Sequence, residues 1–356
     1  MKIIIKMLTV IGIIATFSVT SSASVADEYI ADYEQIVPDG FSDIQSEIKN
    51  GGLDVGSLLR DAVDILSGKL PYVATFFMAL VGLALLMGSV AFLPEKLRGT
   101  VSTSISVIGA LYVGASVSGA FYELSLAISE AGKFFSSAIP ILSAITLAGG
   151  GVKGAAAQAA GMNIVLSVVG GGFGAALSLL SGFSLAMGLA SSVGGEGTGA
   201  VSKYSRNLFM WIFGIATALI MGMLSLQTLV SASSDSAAMR TAKYMASGYL
   251  PMVGGTVSAS LSTLAAGLSY AMGVVGASAI IVLLMLFLSP LLLALGYRLA
   301  LSVASGFAGL IGVASAEKSF SSFRSSFDIL IGLYCLSSIL YIFEIVLFIK
   351  SGVAIL

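Results

Sequence analysis

Histidine is absent from the sequence, cysteine occurs once, and charged residues make up only 10% of the chain. Each shortage removes a class of protein. Without histidine there is no H-E-x-x-H zinc site and no Ser–His dyad of the rhomboid type. A single cysteine allows no disulfide framework within the chain, and Cys335 lies in an apolar run where a free thiol packs as a small hydrophobe. Soluble domains carry about 25% charged residues. A chain with 10% charge, 57% hydrophobic residues and a mean hydropathy of +1.03 cannot cover its own surface in water. The lipid bilayer is therefore the solvent for most of its 356 residues.

The few charges are unevenly placed. Between residues 27 and 70, ten acids from Asp27 to Asp64 face only Lys49, Arg60 and Lys69, while the whole chain is −1. An acidic, base-poor flank reads as extracytoplasmic, because Lys and Arg hold loops in the cytoplasm. The N-terminus agrees. Lys2 and Lys6 precede an apolar core from Met7 to Val19, and Ser24 and Ala26 fit the −3 and −1 positions of a signal cleavage site before Asp27. The expected organisation is a signal peptide over 1–26, an acidic extracytoplasmic helical segment over 27–70 and a multi-span membrane domain over 71–356. Within the acidic segment, short helices break at Pro38-Asp39-Gly40 and Gly51-Gly52. A further helix capped by Asp54 turns Leu58, Leu59 and Leu66 to one side, fit for a membrane surface, another subunit or the outer mouth of the bundle.

The fold class is an all-α polytopic membrane protein, a bundle of about seven spans within a range of five to eight. The stretches 72–93, 101–122, 207–230, 272–296 and 329–349 are long and apolar enough to cross a hydrocarbon core of about 30 Å. Weaker candidates are 134–150, the glycine-laden 162–190 and 299–314. Either 252–270 or 299–314 reads as re-entrant. If both 134–150 and 162–190 cross, Lys96, Arg98, Lys153, Arg240 and Lys243 reach the cytoplasm, while Lys203 and Arg206 fall outside against the positive-inside rule. Forty-two glycines let backbones approach closely in lipid, with Gly170 and Gly174 as one small-xxx-small pair.

Catalytic chemistry finds little support. None of the five firm spans contains an Asp, as intramembrane aspartyl proteolysis would need. The run AGGGVKGAAAQ fails the Walker A pattern, because Gly154 rather than Ser or Thr follows Lys153 and no strand precedes it. No cofactor, metal or nucleic acid is implied. The intramembrane polar candidates are Glu344, in the last span, and Arg298. A carboxylate at depth marks an ion path or a polar helix contact, and a span-end arginine can instead snorkel to the interface.

The strongest local pattern is SLQTLVSASSDSAAMRTAKYMASGYLPMVGGTVS, residues 225–258. Gln227 ends a span, Asp235 opens a polar island holding Arg240 and Lys243, and Pro251 with Gly254 and Gly255 leads back into apolar sequence. Ser233, Ser234 or Asp235 would cap a short interfacial helix, and Pro251 with Gly254 and Gly255 would turn the chain back towards the membrane. This order of features resembles the stage III sporulation protein AE family, polytopic membrane proteins of endospore-forming bacteria, although after V-G-G this chain reads TVSASLST where that family often carries an acid. The resemblance implies a non-enzymatic subunit of a channel or secretion-like complex linking mother cell and forespore. It implies a place in the mother-cell membrane beside other membrane subunits, ring-forming proteins and a cytoplasmic ATPase. On that view the charged island is a docking surface; the plainer alternative is a helix whose bases snorkel to headgroups. Two other functions stay open: a secondary transporter or ion channel for a small solute using Glu344 and Arg298, and a scaffold for complex assembly.

Overall fold

The structure is a computed structural model that describes residues 24–38, 55–193, 197–249 and 254–355. Those residues are almost wholly helical. Helix α1 (Ser24–Glu34) is short. It is followed by α2 (Val55–Ser89), α3 (Glu95–Ala148), α4 (Val152–Leu166), α5 (Gly174–Val193), α6 (Gly197–Tyr249), α7 (Gly254–Leu310) and α8 (Ala314–Ile355). A π-helical stretch, Ser167–Phe173, makes α4 and α5 one continuous rod. Helix is the form a single segment must take in lipid, because it pairs its own N–H and C=O groups without water. Pro71, Pro140 and Pro290 lie inside α2, α3 and α7.

Among the described residues, six helical segments are long and apolar enough to cross a membrane: Arg60–Phe92, Glu95–Ala148, Val152–Ser191, Tyr204–Ala238, Ala266–Leu310 and Ala314–Ser351. The expected seven become six because 101–122 and 134–150 are one helix, α3. Its 54 residues extend about 81 Å at 1.5 Å per residue. The loop implied between spans ending at 122 and starting at 134 is absent: Glu123, Glu130 and Lys133, which would have filled it, are exposed on the side of α3. Charge alone does not turn a chain, and YELSLAISEAGKF contains no helix breaker stronger than Gly132. Reversal comes where α3 and α7 end, at Gly150 and Gly312, whose φ values of 85° and 75° are left-handed. There the N–H of Gly151 reaches back to Thr146 O and that of Val313 to Ala308 O, closing Schellman turns.

The same continuity removes another expected break. Residues 299–310 extend α7, so they are no re-entrant loop. Helix α2 runs on through residue 70, where the membrane domain is expected to begin. Residues 1–23 and 39–54, with the expected signal peptide and the Asp54 cap, lie outside the described residues. Gly170 has no atom within 4 Å of where a Cβ would stand and Gly174 meets only its own Val169 carbonyl, so this pair packs against no neighbouring helix. Glycine does make close approaches elsewhere, at Gly276 against Ile349, Gly296 against Val73 and Gly332 against Met210.

These approaches fix the directions. Val73 meets Gly296 and Gly88 lies near Ile311, so α2 runs parallel to α7. Arg298 pairs with Asp328 while Gly276 meets Ile349, so α8 is antiparallel to α7. Phe173–Phe213 and Phe183–Phe209 set α5 antiparallel to α6. Helices α2, α4–α5 and α7 run one way; α3, α6 and α8 run the other. At the centre, α7 is buried on nearly every side from Ala271 to Leu283, as its all-round apolar sequence demands. Phe287 packs on Tyr334 at 5.0 Å, and the Tyr334 hydroxyl donates to Phe287 O at 3.2 Å. Against this core α1 inserts Ile30 and Tyr33, both fully buried.

One end of the bundle gathers Lys96, Arg98, Arg206, Arg298, Lys318 and Arg324; Lys153, Arg240 and Lys350 belong to the other. Lys96 and Arg240 therefore lie at opposite ends, and the anomaly of Lys203 and Arg206 disappears, since both now stand at the Lys96 end. The positive-inside rule predicts that end in the cytoplasm. In a Cys335→Ser background, Lys96→Cys and Lys318→Cys should react with an impermeant maleimide only after cells are opened, and Arg240→Cys without opening. Labelling of positions 96 and 240 from the same side would refute the arrangement.

Candidate functional site: a polar seam between α4, α6 and α8

The α4 sequence VKGAAAQAAGMNIVL offers small residues around one glutamine, and its glycines face carboxylates. A Cβ on Gly154 would stand 2.9 Å from Asp235 Oδ2. One on Gly161 would stand 2.5 Å from Glu344 Oε1 and 3.2 Å from a Leu224 methyl. Two acidic side chains thus reach the helix backbone only because glycine leaves room for them.

Asp235 is 4% exposed. Its Oδ1 accepts the N–H of Lys153 at 3.2 Å and its Oδ2 that of Gly154 at 2.5 Å. These are the orphan donors of the first turn of α4, and the negative charge sits at the positive end of that helix dipole. Lys153 Nζ donates to Ser234 Oγ at 2.8 Å. Asp235 therefore caps a helix 82 residues away in sequence, not its own, since α6 runs unbroken through the expected start at 233–235 to Tyr249. Further along the seam, Gln227 Nε2 donates to Ala157 O at 2.9 Å, and the Thr146 hydroxyl of α3 donates to Gln158 Oε1 at 2.8 Å. Glu344 lies deeper, 2% exposed, with Oε2 among the buried atoms that have no hydrogen-bond partner.

A second cluster lies at the opposite end. Asp328 of α8 accepts from Arg206 Nη1 at 2.9 Å through Oδ2 and from Arg298 Nε through Oδ1. One carboxylate thus joins α6, α7 and α8. Arg324, a turn earlier, donates to Ser302 Oγ at 3.3 Å. The side chains of Arg206 and Arg298 are 27% and 37% exposed, so each pair contributes about 1 kcal/mol or less.

The sequence candidates therefore separate. Asp235 and Glu344 share the seam, and Arg298 belongs to the other cluster. Arg240 is exposed and Lys243 lies one turn further along α6. Gly254 and Gly255 are the first residues of α7, and Pro251 lies outside the described residues. Gln158, Thr146 and Asp328 were not evident as site residues. Asp328 falls just before the expected span 329–349, and its partners come from two other helices. The signal for Gln158 was its isolation among alanines, with Gly154 and Gly161 one turn to either side.

The family model for stage III sporulation protein AE matches residues 44–352. The chain belongs to that family. Membership makes it a sporulation-stage membrane protein, as the stretch 225–258 suggested, and the matched range takes in both polar clusters. No curated protein and no solved structure is similar enough to match.

Replacing Asp235 by Ala should lower stability by about 1–3 kcal/mol, because two buried N–H groups lose their acceptor. Arg240→Ala should change it by less than about 0.5 kcal/mol. Thermal unfolding of the two variants in the same detergent measures both. Equal, negligible shifts would show that Asp235 does not hold α4.

Proposed function

We propose that this chain is a non-enzymatic subunit of a channel or secretion-like complex joining mother cell and forespore, held in the mother-cell membrane. The family match over residues 44–352 is the observation that carries this reading. The structure is compatible with it in a specific way. Helix α6 lies at the edge of the bundle, with only 11% of its most apolar stretch buried. Trp211, Leu219, Leu226 and Val230 project outward from it. A flank of this kind takes lipid or the helices of neighbouring subunits. At its end stands exposed Arg240, with Lys243 a turn beyond, a charged terminus suited to docking a partner. The partners are other membrane subunits of the complex and its ring-forming proteins, with the cytoplasmic ATPase at the Lys96 end.

A solute transporter using Glu344 and Arg298 together is disfavoured by distance. Arg298 is bound to Asp328, which lies about 24 Å along α8 from Glu344 at 1.5 Å per residue. A scaffold without a conduit differs from the leading reading in flux alone.

The double substitution Arg240→Ala, Lys243→Ala in sporulating cells tests the docking surface. Protein levels should stay normal, while recovery of the other subunits with it falls several-fold and forespore development stops. Intact assembly and normal spores would rule the surface out.

A further inference from the structure

Glu344 Oε2 and Gln158 Nε2 both have no hydrogen-bond partner, although the two residues are only 2% and 8% exposed. They border one cavity between α4, α6 and α8, lined also by Thr228, Ser231 and Ser351. About 10 Å³ of it is open to the centre of a water-sized sphere. That is room for roughly one water molecule or one small ion.

The surrounding hydroxyls already donate to their own helices. Thr228 donates to Leu224 O at 3.0 Å, Ser231 to Gln227 O at 2.8 Å and Ser351 to Phe348 O at 2.7 Å. Their oxygens keep lone pairs and have no proton to offer. Gln158 joins them when its amide turns over. The Thr146 hydroxyl lies 3.0 Å from Leu142 O as well as 2.8 Å from Gln158. With Thr146 donating to Leu142, the Gln158 NH₂ donates to Thr146 and its carbonyl takes the unpartnered position beside the cavity. Each hydroxyl and the Gln158 NH₂ then has an acceptor, and the polar side-chain atoms on the cavity, set among Ala157, Ala232, Leu347 and Phe348, are oxygen acceptors.

An acceptor-only cavity with one carboxylate calls for a cation. An ionised Glu344 with no counter-charge is strongly disfavoured in the apolar interior. The other charged groups near this part of the seam are committed or remote from the cavity. Asp235 is engaged by the first turn of α4, Lys153 by Ser234, and Lys350 is exposed on Glu344's own helix. One carboxylate among neutral oxygens balances a single positive charge, and a divalent ion would leave one unit unpaired. Oxygen ligands suit a hard ion. We propose that this cavity binds one dehydrated monovalent cation of the Na⁺ class, with Glu344 as its counter-charge and Gln158, Thr228, Ser231 and Ser351 as neutral ligands. A proton competes for the same carboxylate. Gly161 is part of the site, because a side chain there would displace the Glu344 carboxylate.

The test uses the purified full-length chain in detergent and a hydrophobic carbodiimide, which adds to protonated buried carboxyls. In choline buffer at about pH 6, Glu344 should be labelled, as mass spectrometry of the digest would report. Replacing choline by NaCl at equal ionic strength should slow labelling at least about fivefold, as expected for a ligand well above its dissociation constant. Thr228→Val keeps the side-chain shape but removes one oxygen. It should raise the half-protecting Na⁺ concentration several-fold without changing labelling in choline. Labelling indifferent to Na⁺ would overturn the cation site and leave Glu344 as an acid held neutral by its proton. Absence of labelling in choline would overturn it as well, since the carboxyl would then be neither free nor exchangeable.

Discussion

A polar group taken out of water into an apolar bundle has to meet a partner there, and the start of α4 is where this chain meets that requirement most tightly. The Schellman turn at Gly149–Gly151 closes α3 and leaves the first N–H groups of α4 facing the interior. Asp235 arrives from α6 to accept two of them. One carboxylate therefore fixes where α4 begins and how α6 lies against it. Gln227 on Ala157 O and Thr146 on Gln158 continue the tie along the same seam. Apolar side chains make up most of the buried interior, but apolar contact between helices in lipid is tolerant of sliding. Hydrogen bonds are not, so the register of this bundle rests on a short list of polar side chains.

Solvent, secondary structure and family were legible in the sequence. The shortage of charge required a bilayer, the absence of water required helices, and the ordered features of 225–258 pointed to the family that residues 44–352 match. Helix continuity was not legible at Glu123–Lys133, because a cluster of charges suggests a loop when it is only an exposed helix face. The error propagated, since one helix read as two inverts the direction of everything after it. The role of Asp235 was hidden for a different reason. An aspartate after two serines has the local signature of a cap for its own helix, and nothing within 20 residues reveals that the donors it accepts come from residues 153 and 154. Pairing across 82 positions is tertiary information. Asp328 was missed because the expected span began at 329, whereas its helix begins at Ala314.

The two polar clusters differ in character. Asp328 holds two arginines near one end, their side chains 27% and 37% exposed, where water and headgroups moderate their charge. The seam at α4 pairs buried or half-buried carboxyl and amide side chains with backbone N–H and C=O groups of the helix. The first fastens three helices and tolerates small movements, because long arginine side chains can follow. In the second, carboxylates press directly on backbone at Gly154 and Gly161, and any displacement of α4 changes their surroundings at once.

The π-helical stretch Ser167–Phe173 carries a consequence of its own. Its glycines, Gly170, Gly171 and Gly172, touch nothing across the bundle, so packing does not require them. A wider turn consumes more residues per revolution, and the azimuth of α5 is thereby offset from the one α4 would have propagated. That offset is what aims Phe173, Leu177 and Leu180, each at most 2% exposed, into the core. Each α-helical residue advances the azimuth by about 100°. A single residue lost from this run would rotate the whole inner face of α5 outward, so its length is constrained even where its side chains are not.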